Sequence, residues 1–450
     1  MRIAIVGTGY VGLCTGVGFA LRGHTVTCVD RHEDKVSAIS AGKSPIYETG
    51  LDAALRKSLR AKKLKATTNL AAAMADADLV FIAVGTPSRP DGSIDLSAVQ
   101  QACWDIGGQL KTATSPDAGE SPAGSGRQAR PASKARRTVV VKSTVIPTTT
   151  ESVVKPMLEQ SSGSKAGEAF GLAMNPEFLR EGSALEDFLN PDRIVIGALD
   201  PASAAAVKKA YAKFRAPIQL TSLTAAEMIK YASNSLLATK VSFANEVGNL
   251  CKALGIDTYE VMAGVGLDRR IGPHFLGAGI GWGGSCFKKD VDALRSQARH
   301  LKLPTRLLDA ADAVNQRQRE HFVSVLESRV GKLKGKRIAV LGLAFKAGTD
   351  DTRDSPSLDV ISWLEKKKAK IVAYDPQAAE NTKKTHPEIE YAPTVAAALA
   401  GAHAAAILTD WPEFKKLTDA DFAPMASKVI LEGRRALDRK KVSNVEGICW

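Results

Sequence analysis

The feature that most constrains the fold is a glycine-rich turn between an apolar strand and a helix at the start of the chain. Residues 2–6 are predicted to form a buried parallel strand, and Gly7, Gly9 and Gly12 follow at once in a G-x-G-x-x-G pattern. The next predicted strand ends at Asp30. The first glycine permits a tight turn, the second lets a pyrophosphate approach the backbone, and the third lets helix pack on strand. The pattern predicts a dinucleotide-binding βαβ unit.

The acidic residue indicates which dinucleotide is bound. A carboxylate at Asp30 can accept hydrogen bonds from the adenosine ribose hydroxyls, which favours NAD over NADP. Arg31 and Lys35 weaken this preference, because a cation there can hold a 2′-phosphate. A Rossmann-like fold with an empty nucleotide site is the alternative. The loop residues predicted to contact the cofactor are Gly7, Gly9, Tyr10, Val11, Gly12, Asp30 and Lys35.

Two further apolar strands are predicted in this first part of the chain. Residues 79–84 lead into Gly85-Thr86-Pro87, and residues 139–144 end at Thr144. Ligands of open α/β sheets bind outside the carboxyl ends of the strands, so both ends are predicted to border the cofactor. Residues 112–137 are rich in Ser, Ala, Pro, Gly and Arg without apolar periodicity. We interpret them as a disordered surface insertion, either a solvated loop or a basic contact site.

Composition limits the functional classes. The chain has 450 residues, 44% of them apolar, which is enough for two or three cores, and its net charge of +13 favours anionic partners. No nucleic-acid-binding motif is present, so phosphorylated small molecules fit better. The six cysteines lie far apart without a Cys-x-x-Cys pair, which argues against a metal site or a disulfide framework. With no signal peptide and no membrane-length apolar run, we expect a soluble cytoplasmic protein.

A second glycine-rich stretch, Gly281 to Asp290, contains a candidate nucleophile. Cys286 follows three small residues, and Lys288 and Lys289 come directly after it. A thiol is a good nucleophile only as the thiolate, which a nearby positive charge or helix N-terminus stabilises. The two lysines and a helix beginning near Asp290 could supply that charge. The alternative is a glycine-rich turn with an incidental cysteine.

Two polar pairs with a spacing of four residues are further candidates. Glu177 and Glu181 are predicted to lie on one helical turn, as carboxylates suited to acid–base chemistry or as a solvated surface pair. Lys230 and Asn234 lie on a long helix predicted over 224–254, on a functional or merely exposed polar face. A helix of this length is predicted to connect two domains or to form a dimer interface.

The last third of the chain repeats the first pattern. Residues 336–342 form a strand followed by a glycine, and 371–375 ends in Asp375 as the earlier strand ends in Asp30. Later strands are predicted at 404–409 and 429–431. The sequence therefore predicts an α/β protein with two doubly wound, Rossmann-like domains joined by a long central helix. The predicted domains are an NAD-binding domain at 1–215, a central region at 216–325 and a second Rossmann-like domain at 326–450.

In their order and spacing these residues resemble the UDP-glucose/GDP-mannose dehydrogenase family over the whole chain except 112–137. The matches are Gly7 to Gly12 with Asp30, Gly85-Thr86-Pro87, Lys142-Ser143-Thr144, Asn175 to Glu181, Lys230 with Asn234, Gly283 to Phe287, Lys289-Asp290, Ala344-Phe345-Lys346 and Thr352-Arg353. Two positions depart from the family: Lys288, where proline or glutamine is common, and Gly277, where some relatives have a lysine.

The resemblance implies an NAD-dependent, four-electron oxidation of the C6 alcohol of UDP-glucose to the carboxylate of UDP-glucuronate. Cys286 would form a thiohemiacetal and then a thioester, and Lys230 and Asn234 would stabilise the oxyanion. Asp290 would transfer protons with Thr144 and a water. Either Glu177 or Glu181 would activate the hydrolytic water, and the family pattern leaves this choice open.

The resemblance also assigns binding residues. Besides the glycine loop, the implied NAD contacts are Gly85, Thr86, Pro87, Thr144, Glu181, Lys289 and Arg353. The implied contacts to the sugar nucleotide are Phe178, Leu179, Arg180, Glu181, Lys230, Asn234, Arg270, Phe275, Leu276, Gly277, Ala278, Gly279, Gly283, Phe345, Lys346 and Arg435. Arg270 matches a position that reaches the substrate of a neighbouring subunit, which implies a homodimer with the long helix in its interface.

Three alternatives remain open. The same chemistry could act on GDP-mannose or a UDP-N-acetylhexosamine, because base and epimer recognition lies in loops. A single-hydride dehydrogenase of the 6-phosphogluconate or 3-hydroxyacyl type shares the N-terminal architecture but has no use for Cys286. A non-catalytic NAD-binding regulator with a nucleic-acid-binding surface would not need Cys286, Lys230, Asn234 and Asp290 together.

Overall fold

The computed structural model describes residues 1–114 and 136–450, and the side chains of 112–114 are not described. The chain forms two compact units, Met1–Ala232 and Ser233–Trp450. The boundary between them falls inside one helix, Leu223–Leu254, which corresponds closely to the long helix predicted from the sequence.

The first unit is built on a single sheet whose described strands follow the order β3-β2-β1-β4-β5-β6-β7-β8. All neighbouring pairs are parallel except β6 with β7, which is antiparallel. The strands are β1 Arg2–Val6, β2 Thr25–Val29, β3 Leu64–Thr67, β4 Leu79–Ile82, β5 Thr138–Val141, β6 Gly171–Met174, β7 Ile194–Ala198 and β8 Ile218–Thr221. The order β3-β2-β1-β4-β5 is that of a doubly wound dinucleotide-binding fold.

Helices cover both faces of this sheet, as expected for parallel strands that are apolar on both sides. Within β1, Ile3 and Ile5 belong to one buried cluster together with residues of α1, whereas Ala4 belongs to the cluster on the opposite face. The helices are α1 Tyr10–Leu21, α2 Glu33–Ser40, α3 Leu51–Arg60, α4 Leu70–Met74, α5 Ser97–Thr114, α6 Lys155–Ser162, α7 Ala184–Leu189, α8 Pro201–Ala210 and α9 Leu223–Leu254, and a π-helical turn spans Thr150–Val154.

The second unit contains the rest of α9, seven further helices and a second sheet. Its described strands follow the order β11-β10-β9-β12-β13-β14, with every neighbouring pair parallel. The strands are β9 Arg337–Leu341, β10 Lys370–Tyr374, β11 Glu390–Tyr391, β12 Ala404–Ile407, β13 Ile430–Glu432 and β14 Val445–Gly447. The helices are α10 Thr258–Gly266, α11 Phe287–His300, α12 Arg306–Val330, α13 Pro356–Lys366, α14 Ala379–Lys383, α15 Val395–Leu399 and α16 Asp419–Phe422, with a 3-10 turn at Phe414–Lys416.

The core of the second unit extends from the sheet to the segment before α11. Ala278 and Ile280 are fully buried in the same cluster as Val340 of β9 and Ile407 of β12. Gly248 of α9 lies so close to the C-terminal segment that a Cβ there would be 2.9 Å from Cys449 Cβ. This close approach explains why this position of the helix is a glycine, although glycine is an unfavourable residue within a helix.

The predicted fold class is confirmed: two parallel, Rossmann-like sheets and a long helix between them in sequence. One local prediction was wrong. Residues 175–180 form no helical turn, since Pro176 interrupts the segment and the Glu177 carboxylate accepts a hydrogen bond from the backbone of Leu179 instead. Six short strands were not predicted: β3, β6, β7, β8, β11 and β14.

The predicted insertion at 112–137 lies mostly outside the described residues. Its two ends are described and are regular: residues 112–114 complete α5, and Arg137 is buried just before β5. The Arg137 guanidinium donates to the carbonyl of Ala77 over 3.2 Å. The predicted boundaries were therefore too wide. None of the helices within residues 1–114 and 136–450 combines the length and the apolar character that crossing a membrane requires.

Candidate active site

The glycine loop adopts the conformation that its pattern predicts. Gly7 has φ +98°, and a Cβ there would lie 2.6 Å from the carbonyl oxygen of Ala83. A Cβ on Gly12 would lie 2.0 Å from the Gly7 carbonyl oxygen, so neither position accepts a side chain. Among the described residues, no atom lies within 4 Å of a Cβ built on Gly9, the N-cap of α1. The loop thus leaves open space at the helix N-terminus, where a pyrophosphate binds in this fold.

Asp30 lies directly after β2 and is held toward the loop. Its Oδ2 accepts from the backbone N of Thr8 over 3.0 Å and from the Thr8 hydroxyl over 2.6 Å, and its Oδ1 accepts from His32 N over 3.1 Å. Lys35 Nζ is 3.9 Å from Oδ2. Burial opposes ionisation of Asp30, but these hydrogen bonds and Lys35 outweigh it and hold the pKa below its ordinary value. The carboxylate is therefore charged and ordered.

The turn after β4 and the residue after β5 are hydrogen-bonded to each other. The Thr86 hydroxyl donates to the backbone carbonyl of Thr144 over 2.8 Å. A Cβ on Gly85 would meet no atom within 4 Å among the described residues. Both segments follow neighbouring parallel strands and so lie at the carboxyl edge of the sheet, together with the glycine loop. The glycine loop, Asp30 and the segments after β4 and β5 leave open space at this edge of the sheet, and these residues fit a bound NAD.

At the same edge, the segment after β6 carries a buried ion pair. Glu177 Oε1 is 2.9 Å from Lys230 Nζ of α9, and the two side chains are 5% and 4% exposed. Glu177 Oε2 accepts from Leu179 N over 2.6 Å. Burial disfavours the charge on Glu177, but Lys230 and the backbone hydrogen bond outweigh it and lower the pKa. Neither side chain is a solvated surface group. The alternative of a solvated surface pair is therefore wrong for Glu177, and the alternative of an exposed polar helix face is wrong for Lys230.

The neighbouring residues of this segment lie differently. The Phe178 ring stacks under the Arg193 guanidinium at 3.8 Å, with Lys230 Nζ at 5.7 Å from the ring centre. Arg180 is exposed and forms an ion pair with Asp187 at 2.6 Å. Glu181 is half-buried and precedes Gly182, whose φ is +83°. The two glutamates are thus in different environments, although they are close in sequence.

In the second unit, Cys286 is the N-cap residue of α11, which begins at Phe287, earlier than predicted. The thiol is half-buried, and Ser285 Oγ lies 3.9 Å from its Sγ. The two following lysines are paired with carboxylates: Lys288 with Asp292, and Lys289 with Asp290 at 2.6 Å. Those pairs offset the lysine charges, and the N-terminus of α11 contributes positive potential at the thiol.

Asp290 also joins this helix to α9. Its Oδ2 accepts from Asn234 Nδ2 over 2.6 Å, and its side chain is 1% exposed. The predicted functional residues Asn234, Lys289 and Asp290 are therefore brought into one buried chain of hydrogen bonds. Lys230 and Asn234 project from α9 one helical turn apart.

The cysteine loop packs on the segment that follows β9. A Cβ on Gly284 would lie 2.6 Å from the Phe345 ring, and Gly284 N donates to the carbonyl of Asp354 over 3.2 Å. A Cβ on Gly283 would lie 2.2 Å from that same carbonyl oxygen. The two glycines are therefore needed for close approach of two chain segments. This contact brings predicted substrate residues Gly283 and Phe345 together.

The segment from Phe275 to Gly279 is also ordered within this unit. Phe275 has φ +63°, and Leu276 and Ala278 are buried. Gly279 N donates to Asn245 Oδ1 over 2.7 Å, and a Cβ on Gly279 would lie 2.3 Å from the carbonyl oxygen of Gly433. The glycine therefore allows the segment to reach the end of β13, close to the predicted substrate residue Arg435.

The remaining predicted contacts are near the surface of the second unit. Arg435 pairs with Asp257 at 3.1 Å and lies over the Tyr259 ring at 4.7 Å. Arg353 pairs with Asp351 at 2.7 Å, and Lys346 Nζ lies 5.7 Å from the Phe345 ring centre. Arg270 is almost fully exposed beside Asp268. A Cβ on Gly277 would make ordinary contact with Tyr259, 3.8 Å from its hydroxyl.

Sequence reasoning missed two buried glutamates next to predicted site residues. Glu48 accepts from the backbone N of Gly182 and of Ala184, both over 2.8 Å, and so holds the turn after Glu181. Glu227 accepts from Thr148 N over 2.7 Å and from Thr150 N over 2.8 Å. Their partners are backbone groups far away in sequence, so no local pattern could have identified them.

Comparison with known proteins places this geometry in a family. Three models of the UDP-glucose/GDP-mannose dehydrogenase family match in chain order: the NAD binding domain over residues 1–115 and 125–215, the central domain over 224–317 and the UDP binding domain over 339–439.

Individual relatives match over the full length. UDP-glucose 6-dehydrogenase AglM of Haloferax volcanii is 43% identical over 100% of both chains. UDP-glucose 6-dehydrogenase TuaD of Bacillus subtilis is 40% identical over 96% of this chain and 89% of its own. The solved UDP-glucose dehydrogenase of Pyrobaculum islandicum superposes with a TM-score of 0.89 at 40% identity, covering 100% of this chain and 97% of its own.

A solved UDP-D-ManNAc dehydrogenase of Pyrococcus horikoshii superposes with a TM-score of 0.84 at 28% identity, covering 100% of this chain and 99% of its own. Fold, motif order and full-length identity agree, and the chain belongs to the UDP-glucose/GDP-mannose dehydrogenase family.

Proposed function

We propose that this protein oxidises UDP-glucose to UDP-glucuronate with two molecules of NAD. The overall reaction consumes one water, transfers two hydrides and releases three protons with the carboxylate product. The observation that carries the proposal is Cys286 at the N-terminus of α11, beside the buried Asn234–Asp290–Lys289 chain. A single-hydride dehydrogenase has no use for a nucleophile placed in this way.

The first unit would bind the cofactor. Gly7, Gly9, Tyr10, Val11 and Gly12 would hold its pyrophosphate at the N-terminus of α1, and Asp30 would accept from the adenosine ribose. Further contacts would come from Lys35, Gly85, Thr86, Pro87, Thr144 and Glu181, and the family pattern also assigns Lys289 and Arg353 to the cofactor. When bound, NAD accepts one hydride from the substrate carbon in each of the two oxidations.

The thiol of Cys286 would hold the substrate between the two oxidations. Its thiolate adds to the C6 aldehyde and gives a thiohemiacetal, whose oxidation leaves a thioester. Water then cleaves the thioester and restores the thiol. Asp290 would accept a proton with Thr144 and a water, and Lys230 and Asn234 would stabilise the negative charge on the substrate oxygen.

The environments of the two glutamates bear on which one activates the hydrolytic water. Glu177 is bound to Lys230 and to the backbone of Leu179, and its lowered pKa makes it a weak base. Glu181 is half-buried and follows in the same segment. We therefore propose that Glu177 orients Lys230. One of the two glutamates, Glu177 or Glu181, activates the hydrolytic water.

The sugar nucleotide would be bound mainly by the second unit. We assign its recognition to Phe275, Leu276, Gly277, Ala278, Gly279, Gly283, Phe345, Lys346 and Arg435, with Phe178, Leu179 and Arg180 from the first unit. The three-part division into 1–215, 216–325 and 326–450 follows from these roles, as cofactor-binding, central and nucleotide-binding domains. Widely spaced cysteines support action in the reducing cytoplasm.

We propose a homodimer that uses α9 as part of its interface. Leu236, Phe243 and Leu250 lie at heptad spacing on this helix and are each more than half exposed, and Leu254 is exposed beyond them. Such an apolar stripe on a long helix is typical of a helix–helix interface. Arg270, also exposed, would then reach the substrate of the partner subunit. Sedimentation of Phe243→Asp against the wild type tests this: a wild-type monomer would contradict the proposal.

The proposed reaction is tested by the number of NADH molecules formed per sugar nucleotide consumed. UDP-glucose, GDP-mannose and UDP-N-acetylmannosamine are compared under the same conditions. Two NADH with UDP-glucose alone support both the reaction and the substrate. Two NADH with another sugar would replace the substrate and keep the mechanism. One NADH with a released aldehyde would refute the thioester route.

Cys286→Ser isolates the nucleophile. The variant is expected to bind UDP-glucose and NAD as the wild type does, because the serine keeps the size and the N-cap position. Turnover is expected to be lost, since a hydroxyl at this position is a far weaker nucleophile than a thiolate. Cys251→Ser, the same substitution at a cysteine outside the proposed site, serves as the matched control. Full activity in Cys286→Ser would contradict the mechanism.

A further inference from the structure

The first unit contains a second buried lysine beside the Glu177–Lys230 pair. Lys142 follows β5 directly and is 4% exposed. Its Nζ donates to Asn175 Oδ1 over 3.0 Å and to the carbonyl of Pro176 over 3.4 Å. The mechanism above gives this residue no role. A lysine is almost never fully buried unless it is paired.

The surroundings of Lys142 explain how a cation is accommodated there. Asn175 is fixed by two further hydrogen bonds: it donates to the carbonyl of Val195 over 2.7 Å and accepts from the Tyr211 hydroxyl over 2.6 Å. The charged groups that act on Lys142 are Glu177, which attracts it, and Lys230, which repels it. Lys230 is the ammonium group that pairs with the Glu177 carboxylate, and the Lys142 ammonium lies against the carbonyl of Pro176, the residue next to Glu177.

This arrangement matters once the substrate oxygen becomes negatively charged. That oxygen competes with Glu177 for the Lys230 ammonium. A buried carboxylate that loses its cation is strongly destabilised, which would oppose the reaction. With Lys142 beside it, Glu177 keeps a positive neighbour when Lys230 turns to the substrate.

We propose that Lys142 is a positioning residue: its charge keeps Glu177 compensated, and this allows the Lys230 ammonium to stabilise the oxyanion. The inference rests on the proposed function, because it assumes that Lys230 acts on the substrate oxygen. It assigns Lys142 no contact with the substrate. Burial lowers the pKa of Lys142 to about 7, so below that pH the lysine carries the charge that the role requires.

Lys142→Gln removes the charge and retains an amide donor on a side chain that is one bond shorter. We expect kcat to fall at least about tenfold at pH 7, with KM for NAD changed less than about twofold. We expect the acid limb of the kcat profile to follow the ionisation of Glu177, the partner of Lys230, and to move up by about one pH unit, since the carboxylate loses a neighbouring cation. Lys165→Gln, at an exposed lysine of the same unit, is the control.

An acid limb that stays in place in Lys142→Gln would overturn the proposal, even with a lowered kcat, because a purely structural lysine would change stability without moving it. If Lys142→Gln does not fold, Glu177→Gln provides the second measurement. Its loss of stability relative to the wild type is expected to be larger at pH 6 than at pH 9, where Lys142 is neutral and no longer repels Lys230. A loss independent of pH would likewise overturn the proposal.

The assay separates this inference from the proposed function. It is run with whichever of UDP-glucose, GDP-mannose or UDP-N-acetylmannosamine yields NADH with the wild type. Failure of UDP-glucose alone would change the assigned substrate and leave the test of Lys142 intact. If UDP-glucose is the substrate and the acid limb of the kcat profile stays in place in Lys142→Gln, the role of Lys142 is rejected and the proposed function stands.

Discussion

The two Rossmann-like sheets start from the same local structure and use it differently. Gly7 and Gly342 have φ +98° and +99°, each follows the first strand of its sheet, and each next strand ends in an aspartate, Asp30 or Asp375. In the first unit, α1 begins at Tyr10, directly over the glycine turn. In the second unit the first helix after the turn, α13, begins only at Pro356.

The two aspartates show the difference in chemical terms. Asp375 accepts from the backbone N of Leu343, Ala344, Gln377 and Ala378 and from Trp411 Nε1, all between 2.7 and 3.1 Å. Asp30 accepts from Thr8 and His32 only among the bonds described for it, besides the Lys35 ion pair. Asp375 holds a longer loop in place, whereas Asp30 retains capacity for a ligand. The same motif therefore serves ligand binding in the first unit and loop structure in the second.

The largest expected effect comes from removing the structural aspartate. Asp375→Ala leaves five donors without their acceptor, so we expect the free energy of unfolding to fall by about 4 kcal/mol. Asp30→Ala is expected to be milder in stability and to raise KM for NAD far more than KM for the sugar nucleotide. Calorimetry and steady-state kinetics measure the two effects. Equal shifts of both KM values in Asp30→Ala would break the comparison.

The second effect concerns a buried carboxylate of the first unit, Glu227. Burial raises its pKa to about 7, against the hydrogen bonds from Thr148 and Thr150. Between about pH 4.5 and 7 the folded protein keeps a proton that the unfolded chain has released, so this group lowers stability as pH rises. The expected contribution is up to about 3 kcal/mol. In Glu227→Gln the free energy of unfolding is expected to fall less steeply between about pH 4.5 and 7 than in the wild type, as measured by denaturant titrations at several pH values. The same pH dependence in both proteins would contradict the prediction.

A third, smaller effect tests the shared turn. Gly7→Ala and Gly342→Ala both place a Cβ at positive φ, 2.6 Å from Ala83 O and 2.5 Å from Thr409 Cβ respectively. We expect each to lose about 2 kcal/mol of stability, because strain and a backbone or side-chain clash act in both. Thermal unfolding measures the losses. A large loss at only one position would show that the two turns are not equivalent.

The smallest effect separates binding from folding within one loop. At Gly9 the structure leaves room for a methyl group, so Gly9→Ala is expected to change stability by less than about 0.5 kcal/mol. The methyl group would occupy the space assigned to the pyrophosphate. KM for NAD is therefore expected to rise about tenfold, or about 1.4 kcal/mol. An unchanged KM would place the pyrophosphate elsewhere.

Much of the fold could be predicted because its determinants are local. The strands around Gly7 and Asp30 and the helix over 224–254 were predicted within a few residues, since apolar runs and glycine turns are read from neighbouring positions. The helical turn predicted at Glu177 was wrong, because Pro176 and the hydrogen bond from Leu179 N give this segment another conformation. The identity of the site residues could be proposed from their order and spacing in the sequence. Their burial and their hydrogen-bond partners could not be predicted in this way.

The order of residue types along the chain was enough to predict the βαβ units, the candidate cysteine and the family. Tertiary packing was needed to pair the buried polar groups: Glu177 pairs with Lys230 of α9, and Asp290 accepts a hydrogen bond from Asn234. The burial of a strand or helix is visible in the spacing of apolar residues that are close together in the sequence. Electrostatic interactions depend on distance and burial in three dimensions, and these arise only when remote segments pack together.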